Sequence, residues 1–135
     1  MNLVSTRLIT SDVSRLASFY ETLTGVTADR PVDAFAEIRT PSGTLAIGHV
    51  STTALFGPAY ASVADNRSSI VEFLVDDVDA RFAALTAGSL DLDVVLEPTT
   101  MPWGNRSLLV RDPDGNLVNF FTPVTDAARA KFGVE

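Results

Sequence analysis

Arg111-Asp112-Pro113-Asp114-Gly115-Asn116-Leu117-Val118-Asn119-Phe120-Phe121 is the stretch whose reading decides the fold. Pro113 fixes φ at the second turn position, and Gly115 and Asn116 tolerate positive φ, so the chain reverses tightly here. Apolar residues precede the turn (Leu108 to Val110) and follow it (Leu117 to Phe121), which makes the stretch a β-hairpin. The chain carries the pattern twice. Arg39-Thr40-Pro41-Ser42-Gly43-Thr44-Leu45-Ala46-Ile47 repeats it in outline, with Arg39 matching Arg111, Pro41 matching Pro113, Gly43 matching Gly115 and Leu45 matching Leu117.

Working outward, each hairpin closes a similar half. Leu3 to Ile9 reads as a strand with Leu8 on one face and Arg7 and Ile9 on the other. Asp12 can cap a helix whose Val13, Leu16, Ala17, Phe19, Tyr20 and Leu23 recur at helical spacing up to Gly25. A weakly signalled strand near Thr27 to Arg30 leads to the strands Phe35 to Arg39 and Thr44 to Val50. In the second half, Ser69 to Val75 is a strand, Asp77 caps a helix ending at Gly88, and Val94 to Leu96 is a short strand closed by Pro98. The hairpin strands follow, and a short helix after Thr125-Asp126 runs through Phe132. Asp77 follows Asp12 by 65 positions, and Pro113 follows Pro41 by 72.

Each half is therefore a βαβββ module, and the fold class is α+β. One module cannot cover both faces of its own four-stranded sheet. The two are expected to join within a single domain over 1–135, as a curved mixed-sheet cup with helices outside: module one over 1–50, a linker over 51–68, module two over 69–124 and a C-terminal helix over 125–135. A concave, apolar-walled cup is the shape of a ligand site.

Composition narrows the function. The chain is acidic, with a formal charge of -7, and has no basic patch with which to displace counterions from nucleic acid. It has no cysteine, so thiol catalysis, disulfides and thiolate metal sites are excluded. No apolar run is long enough for a helix to span a bilayer, and none follows a basic start, so no membrane partner and a cytoplasmic location are expected. Open strand edges on such a chain suggest a homodimer.

Asp12 followed by Phe19-Tyr20, Phe73-x-Val75-x-Asp77-Val78-Asp79, Pro102-Trp103-Gly104 and Arg111-Asp112-Pro113-Asp114-Gly115-Asn116 resemble the vicinal oxygen chelate superfamily. That group holds glyoxalases, extradiol dioxygenases, fosfomycin-resistance transferases and bleomycin-resistance binding proteins. The resemblance implies paired βαβββ modules and, in the enzymes of the group, one divalent metal held by His and Glu from the first and last strands of each module. It maps those positions onto Ser5, Ile47, Ile70 and Asn119. Isoleucine cannot ligate a metal, and a hydroxyl and a neutral amide are poor ligands for zinc or ferrous iron. No metal or other cofactor is expected.

The candidate ligand-binding residues are Arg7, Glu72, Asn119, His49, Trp103, Arg106 and Glu37. Arg7 lies two residues after Ser5 and Glu72 two after Ile70, so the pair occupies equivalent places and reads as either an ion pair or a polar ligand contact. His49, two past Ile47, is expected on the cup face, as a titratable contact or as a half-solvated rim residue. Trp103 anchors its loop or walls the mouth of the cup, and Arg106 sits beside it. Strand parity leaves Glu37 facing either solvent or cup. Asp112 and Asp114 are expected to hold the turn through Asx-type bonds rather than to act in catalysis. The resulting function is a metal-free, bleomycin-resistance-like protein that binds a small organic molecule. The alternative is a lyase, isomerase or dioxygenase using His49, Glu37 or Glu72 at a noncanonical site.

Overall fold

Two aspartates start the two long helices in the same way. In the computed structural model, which describes residues 1–135, the Asp12 carboxylate accepts from the Arg15 N–H at 2.9 Å and that of Asp77 from Ala80 at 2.9 Å. Each cap satisfies an amide that the first helical turn leaves free. Helix α1 (Val13–Thr24) ends at Gly25, whose φ of 75° is the left-handed conformation a glycine accepts without strain. Helix α2 (Val78–Ala87) ends at Gly88 in an extended conformation.

A strand precedes each helix, β1 (Ser5–Thr10) and β5 (Ile70–Leu74), and three follow: β2 (Asp29–Val32), β3 (Phe35–Thr40) and β4 (Gly43–His49), then β6 (Asp93–Thr100), β7 (Asn105–Arg111) and β8 (Leu117–Pro123). The strand orders are β1-β4-β3-β2 and β5-β8-β7-β6. The first strand of each sheet runs parallel to the last, with the helix as the crossover that a parallel pair requires. The chain forms two compact units, Met1–Asn66 and Arg67–Glu135, each a complete βαβββ module. Unit one includes a 3₁₀ helix over Val50–Leu55, and unit two the helix α3 (Asp126–Phe132).

Alternation along the strands decides what each helix covers. In unit one, Leu8, Ala36, Ile38, Leu45 and Ile47 share the face beneath Leu16, Tyr20 and Leu23 of α1, and all are buried. In unit two, Phe73, Leu108, Val110, Val118 and Phe120 share the face beneath Val78 and Leu85 of α2, with the rings of Phe73 and Phe120 stacked at 5.2 Å. Each full burial of a large apolar side chain contributes about 1.5–3 kcal/mol.

The hairpins are not equal repeats. Arg39 pairs with Thr44, leaving Thr40 to Gly43 between them, whereas Arg111 pairs with Leu117, leaving Asp112 to Asn116. The second turn is one residue longer, and Asp112 organises the extra length. Its carboxylate accepts from the backbone of Asp114 at 2.9 Å and of Asn116 at 2.8 Å, and from the Asn116 side chain at 2.7 Å. Asp112 thus makes the Asx-type bonds expected of the turn. The shorter first turn shifts β4 by one residue against the sequence match, so Leu45 corresponds to Val118, not Leu117, and Ala46 to Asn119. A one-residue slip exchanges the faces of a strand. Ile47 consequently lies on the α1 face, fully buried, and not on the face expected for it.

Two strands also differ in extent from expectation. β2 begins at Asp29 because Glu21 of α1 fixes the preceding loop, accepting from the Ala28 N–H at 2.8 Å and pairing with Arg30 at 2.8 Å. β6 runs through Pro98 to Thr100. It is an edge strand whose register shifts between Leu96 and Thr99, a position where a missing N–H is tolerated.

Candidate functional site

The sheet face of unit two opposite α2 carries an unusual set of polar side chains. Glu72 of β5 stands beside Asn119 of β8, and the Asn119 amide nitrogen donates to the Glu72 carboxylate at 2.7 Å. Ser107 and Asn105 of β7 share this face, because Ser107 pairs with Phe121 and Asn105 with Pro123. Asn119, Ser107 and Asn105 are buried, and Asn119 Oδ1, Ser107 Oγ and Asn105 Oδ1 have no hydrogen-bond partner. A buried polar group left unsatisfied costs about 1–3 kcal/mol, so a row of three is a feature in need of a partner. Ile70, Leu74 and Leu117 surround Glu72 and Asn119 with apolar surface, and α3 closes one end of the face through Phe132 against Phe121, ring centroids 5.0 Å apart.

The corresponding face of unit one has different chemistry. In place of the Glu72–Asn119 pair stands Arg7 beside Ala46, with Glu37 beyond on β3. The register settles the parity of Glu37: it shares the face of Arg7. The Arg7 guanidinium lies over the Phe35 ring, 5.4 Å from its centroid, a cation–π contact. Its stem passes over Gly48, where a Cβ would meet Arg7 Cδ at 3.4 Å. Arg39 binds Glu37 and also reaches Asp29 at 3.2 Å. The hydrogen bond to Glu37, and then the charges of Glu37 and Asp29, hold the Arg39 guanidinium above its usual range. Arg7 and Glu72 therefore each have a partner inside their own unit.

Three expected site residues lie elsewhere. His49 pairs with Thr10, so the slip of β4 takes it off the face of Arg7. Its Nδ1 accepts from the Ser51 N–H at 3.1 Å and lies 2.7 Å from Ser51 Oγ, which makes it the cap of the 3₁₀ helix. Glu37 and His49 occupy opposite faces of one sheet. Arg106 pairs with Thr122 on the α2 side and grips Asp79 of α2 with two hydrogen bonds, of 2.6 and 2.8 Å. That contact holds the Asp79 carboxyl below its usual range and the guanidinium above its own. Arg106 ties a helix to a strand and does not reach the polar face. Trp103 is 67% exposed in the turn between Met101 and Gly104, so it does not anchor its loop in the core.

Ser107 and Asn105 are polar members of the face that sequence reasoning missed. The signal was available: once Asn119 is placed, the hairpin gives Leu109 as its partner, and Ser107 and Asn105 follow at the same parity.

The metal expected in the enzymes of the resembling group does not fit these residues. With β4 corrected, the four positions hold Ser5, Ala46, Ile70 and Asn119: a hydroxyl, a methyl, an alkyl chain and an amide already bonded to Glu72. No three His, Cys, Asp or Glu side chains converge anywhere in the molecule to hold an ion. First-row divalent metals need imidazole, carboxylate or thiolate donors.

Known structures share this architecture. A conserved domain protein is 27% identical, covers 91% of this chain and 99% of its own, and superposes with a TM-score of 0.72. A glyoxalase/bleomycin resistance protein/dioxygenase from Nocardioides is 21% identical, with 93% and 85% covered and a TM-score of 0.75. A glyoxalase-related enzyme from Fulvimarina pelagi is 18% identical, with 90% and 88% covered and a TM-score of 0.74. No curated protein matches the chain. The family model of the Glyoxalase/Bleomycin resistance protein/Dioxygenase superfamily matches residues 2–120. With two βαβββ units and that match over nearly its whole length, the chain belongs to the glyoxalase/bleomycin resistance protein/dioxygenase superfamily.

Proposed function

We propose that this member of the superfamily binds a small organic molecule and does so without a resident metal. The observation that carries the reading is Asn119. It stands where the resemblance implies a metal-binding carboxylate, and its carboxamide oxygen is buried without a partner on a face that also holds Ser107 and Glu72. Neutral amides and hydroxyls orient ligands through hydrogen bonds, and a few such groups set among apolar side chains are typical of small-molecule sites. Asn119, Ser107 and Glu72 are the proposed contacts, all on this one face of unit two.

Elemental analysis of protein purified without chelator, followed by melting curves with zinc, iron, manganese or nickel salts and with a library of small aromatic amines, amides and carboxylates, tests the reading. The expected result is no stoichiometric metal, no metal-induced shift, and stabilisation by a subset of organic compounds. A compound at a hundredfold excess over its Kd stabilises by about 2.7 kcal/mol, well within reach of a melt. One tightly held metal per chain overturns the proposal.

A homodimer belongs to the same reading. What supports it is exposed apolar side chains on edge strands, Val32 on β2 and Val95 on β6. Light scattering at micromolar concentration should return twice the chain mass, and a monomer would remove this part of the proposal.

A further inference from the structure

Every buried, unpartnered polar atom on the Asn119 face of unit two is an oxygen: Asn119 Oδ1, Ser107 Oγ and Asn105 Oδ1. The orientation of Asn119 follows from chemistry. An ionised Glu72 only accepts, so the amide nitrogen must point at it, and Oδ1 is left facing away. One of the two amide N–H groups is thereby committed to Glu72, while the acceptor stays open. Glu72 adds negative charge beside it, with the second carboxylate oxygen given no bond. The cation at this parity, Arg111, is turned aside and donates to the Gly115 carbonyl at 2.9 Å. What the strands of this face lack is a cation left free to balance the Glu72 charge. Around these oxygens lie Ile70 and Leu74, both about half exposed, and the half-buried Leu117.

We infer that the ligand of this face is an organic ammonium: a primary amine, protonated at neutral pH, on a compact apolar body. The inference rests on the proposed binding role and adds the class of ligand. The ammonium is a compact centre with three donors. Asn119 Oδ1, Ser107 Oγ and the free Glu72 oxygen are three acceptors on adjacent strands, and the apolar body has Ile70, Leu74 and Leu117 to lie on. A carboxylate or phosphate would instead face the Glu72 charge and the open oxygens, with only the neutral Ser107 hydroxyl and asparagine amide N–H groups to receive it and no cation.

The test uses ¹⁵N-labelled full chain titrated at pH 7 with three probes of one shape: 2-phenylethylamine, 2-phenylethanol and 3-phenylpropanoate. The expected result is that 2-phenylethylamine moves the Asn119 side-chain and Ser107 backbone resonances and binds about tenfold more tightly than the alcohol, a difference of about 1.4 kcal/mol. The propanoate should leave these resonances in place. Ser107→Ala and Asn119→Leu should each weaken the amine about tenfold, and Glu72→Gln should erase its advantage over the alcohol. Ser107→Ala keeps the test intact should the larger Asn119→Leu change fail to fold. Preferential binding of the propanoate at Asn119 overturns the ammonium assignment and leaves the binding role standing. If none of the three probes moves these resonances, both the assignment and the binding role of this face fall.

Discussion

The two units share one scaffold and differ on the surface that the scaffold presents. Opposite its helix, unit one shows Arg7, Ala46 and Glu37 across three strands, and unit two shows Glu72, Asn119 and Leu109 at the matching places. Unit one's charges are closed on themselves, with Arg7 over Phe35 and Glu37 bound by Arg39. Unit two leaves buried oxygens open. The helix-facing sides, by contrast, have apolar centres in both, with polar residues such as Thr10, His49 and Arg106 only towards the strand ends. The side that packs on the helix is alike in the two units and the opposite side differs, so the shared scaffold does not determine the chemistry of that opposite face.

The helices themselves differ in how deeply they are committed. Six side chains of α1 are buried, against Val78 and Leu85 in α2. Truncation should expose the difference more than any other change. Leu16→Ala, at a 1% exposed position, is expected to cost roughly 2–5 kcal/mol. Phe82→Ala in the half-buried wall of α2 should cost about half as much. Urea melts of the two variants measure this, and equal losses would mean that the two helices contribute alike.

Most of the fold was legible in the sequence because its signals are local. Asp12, Gly25, Asp77 and Thr125 mark helix boundaries through caps that depend on neighbours three or four residues away. The site was less legible, because it depends on strand parity, which one residue in a turn reverses. Aligning Gly43 with Gly115 predicts the wrong face for Ile47 and His49, while Glu72 and Asn119, in the unit that carries the full turn, are hydrogen-bonded neighbours. Arg106 was misread for a further reason. An arginine next to the hairpin looks free in sequence, and only the register shows that Asp79 lies within its reach.

The turns offer the next comparison. Asp112 is buried and receives three hydrogen bonds, whereas its counterpart Thr40 donates one, to the Gly43 carbonyl at 2.9 Å. Asp112→Ala should destabilise by about 3 kcal/mol, since bonds to a charged acceptor are lost and buried donors are orphaned, and Thr40→Ala by about 1 kcal/mol. Guanidinium melts of the two variants should keep that order. The reverse order would mean that the longer turn is held by something other than Asp112.

Turn length can also be changed directly. Inserting one aspartate between Pro41 and Ser42 gives unit one the five-residue turn of unit two. If turn length alone accounts for the slip, the strands keep their pairing, and the cost stays within about 1 kcal/mol because loop closure depends weakly on length. Amide exchange should still protect Ile47 as a core position. Loss of that protection would show that β4 had moved against β3, and that the turn sets register as well as numbering.

The smallest expected effect is electrostatic and compares the devices that tie each helix to its sheet. Glu21 in unit one is held below its usual range chiefly by the Ala28 N–H, with Arg30 adding to the effect. Asp79 in unit two is held low chiefly by its hydrogen bond to Arg106. A carboxylate whose folded pKa is depressed binds its proton more readily in the unfolded chain. Its contribution to stability is therefore complete above the unfolded pKa and disappears as pH falls through the folded value. Both pairs are largely solvated, so each contribution is small and weakened by salt. Glu21→Gln and Asp79→Asn should each melt slightly below the parent at pH 6 in low salt. Each difference should shrink as pH drops through the carboxylate range. For Asp79→Asn it should also shrink in high salt, because its contact is wholly an ion pair, while for Glu21→Gln part should persist, because its leading partner is an uncharged amide. Equal salt sensitivity in the two variants would show that the backbone bond of Glu21 adds nothing beyond its charge.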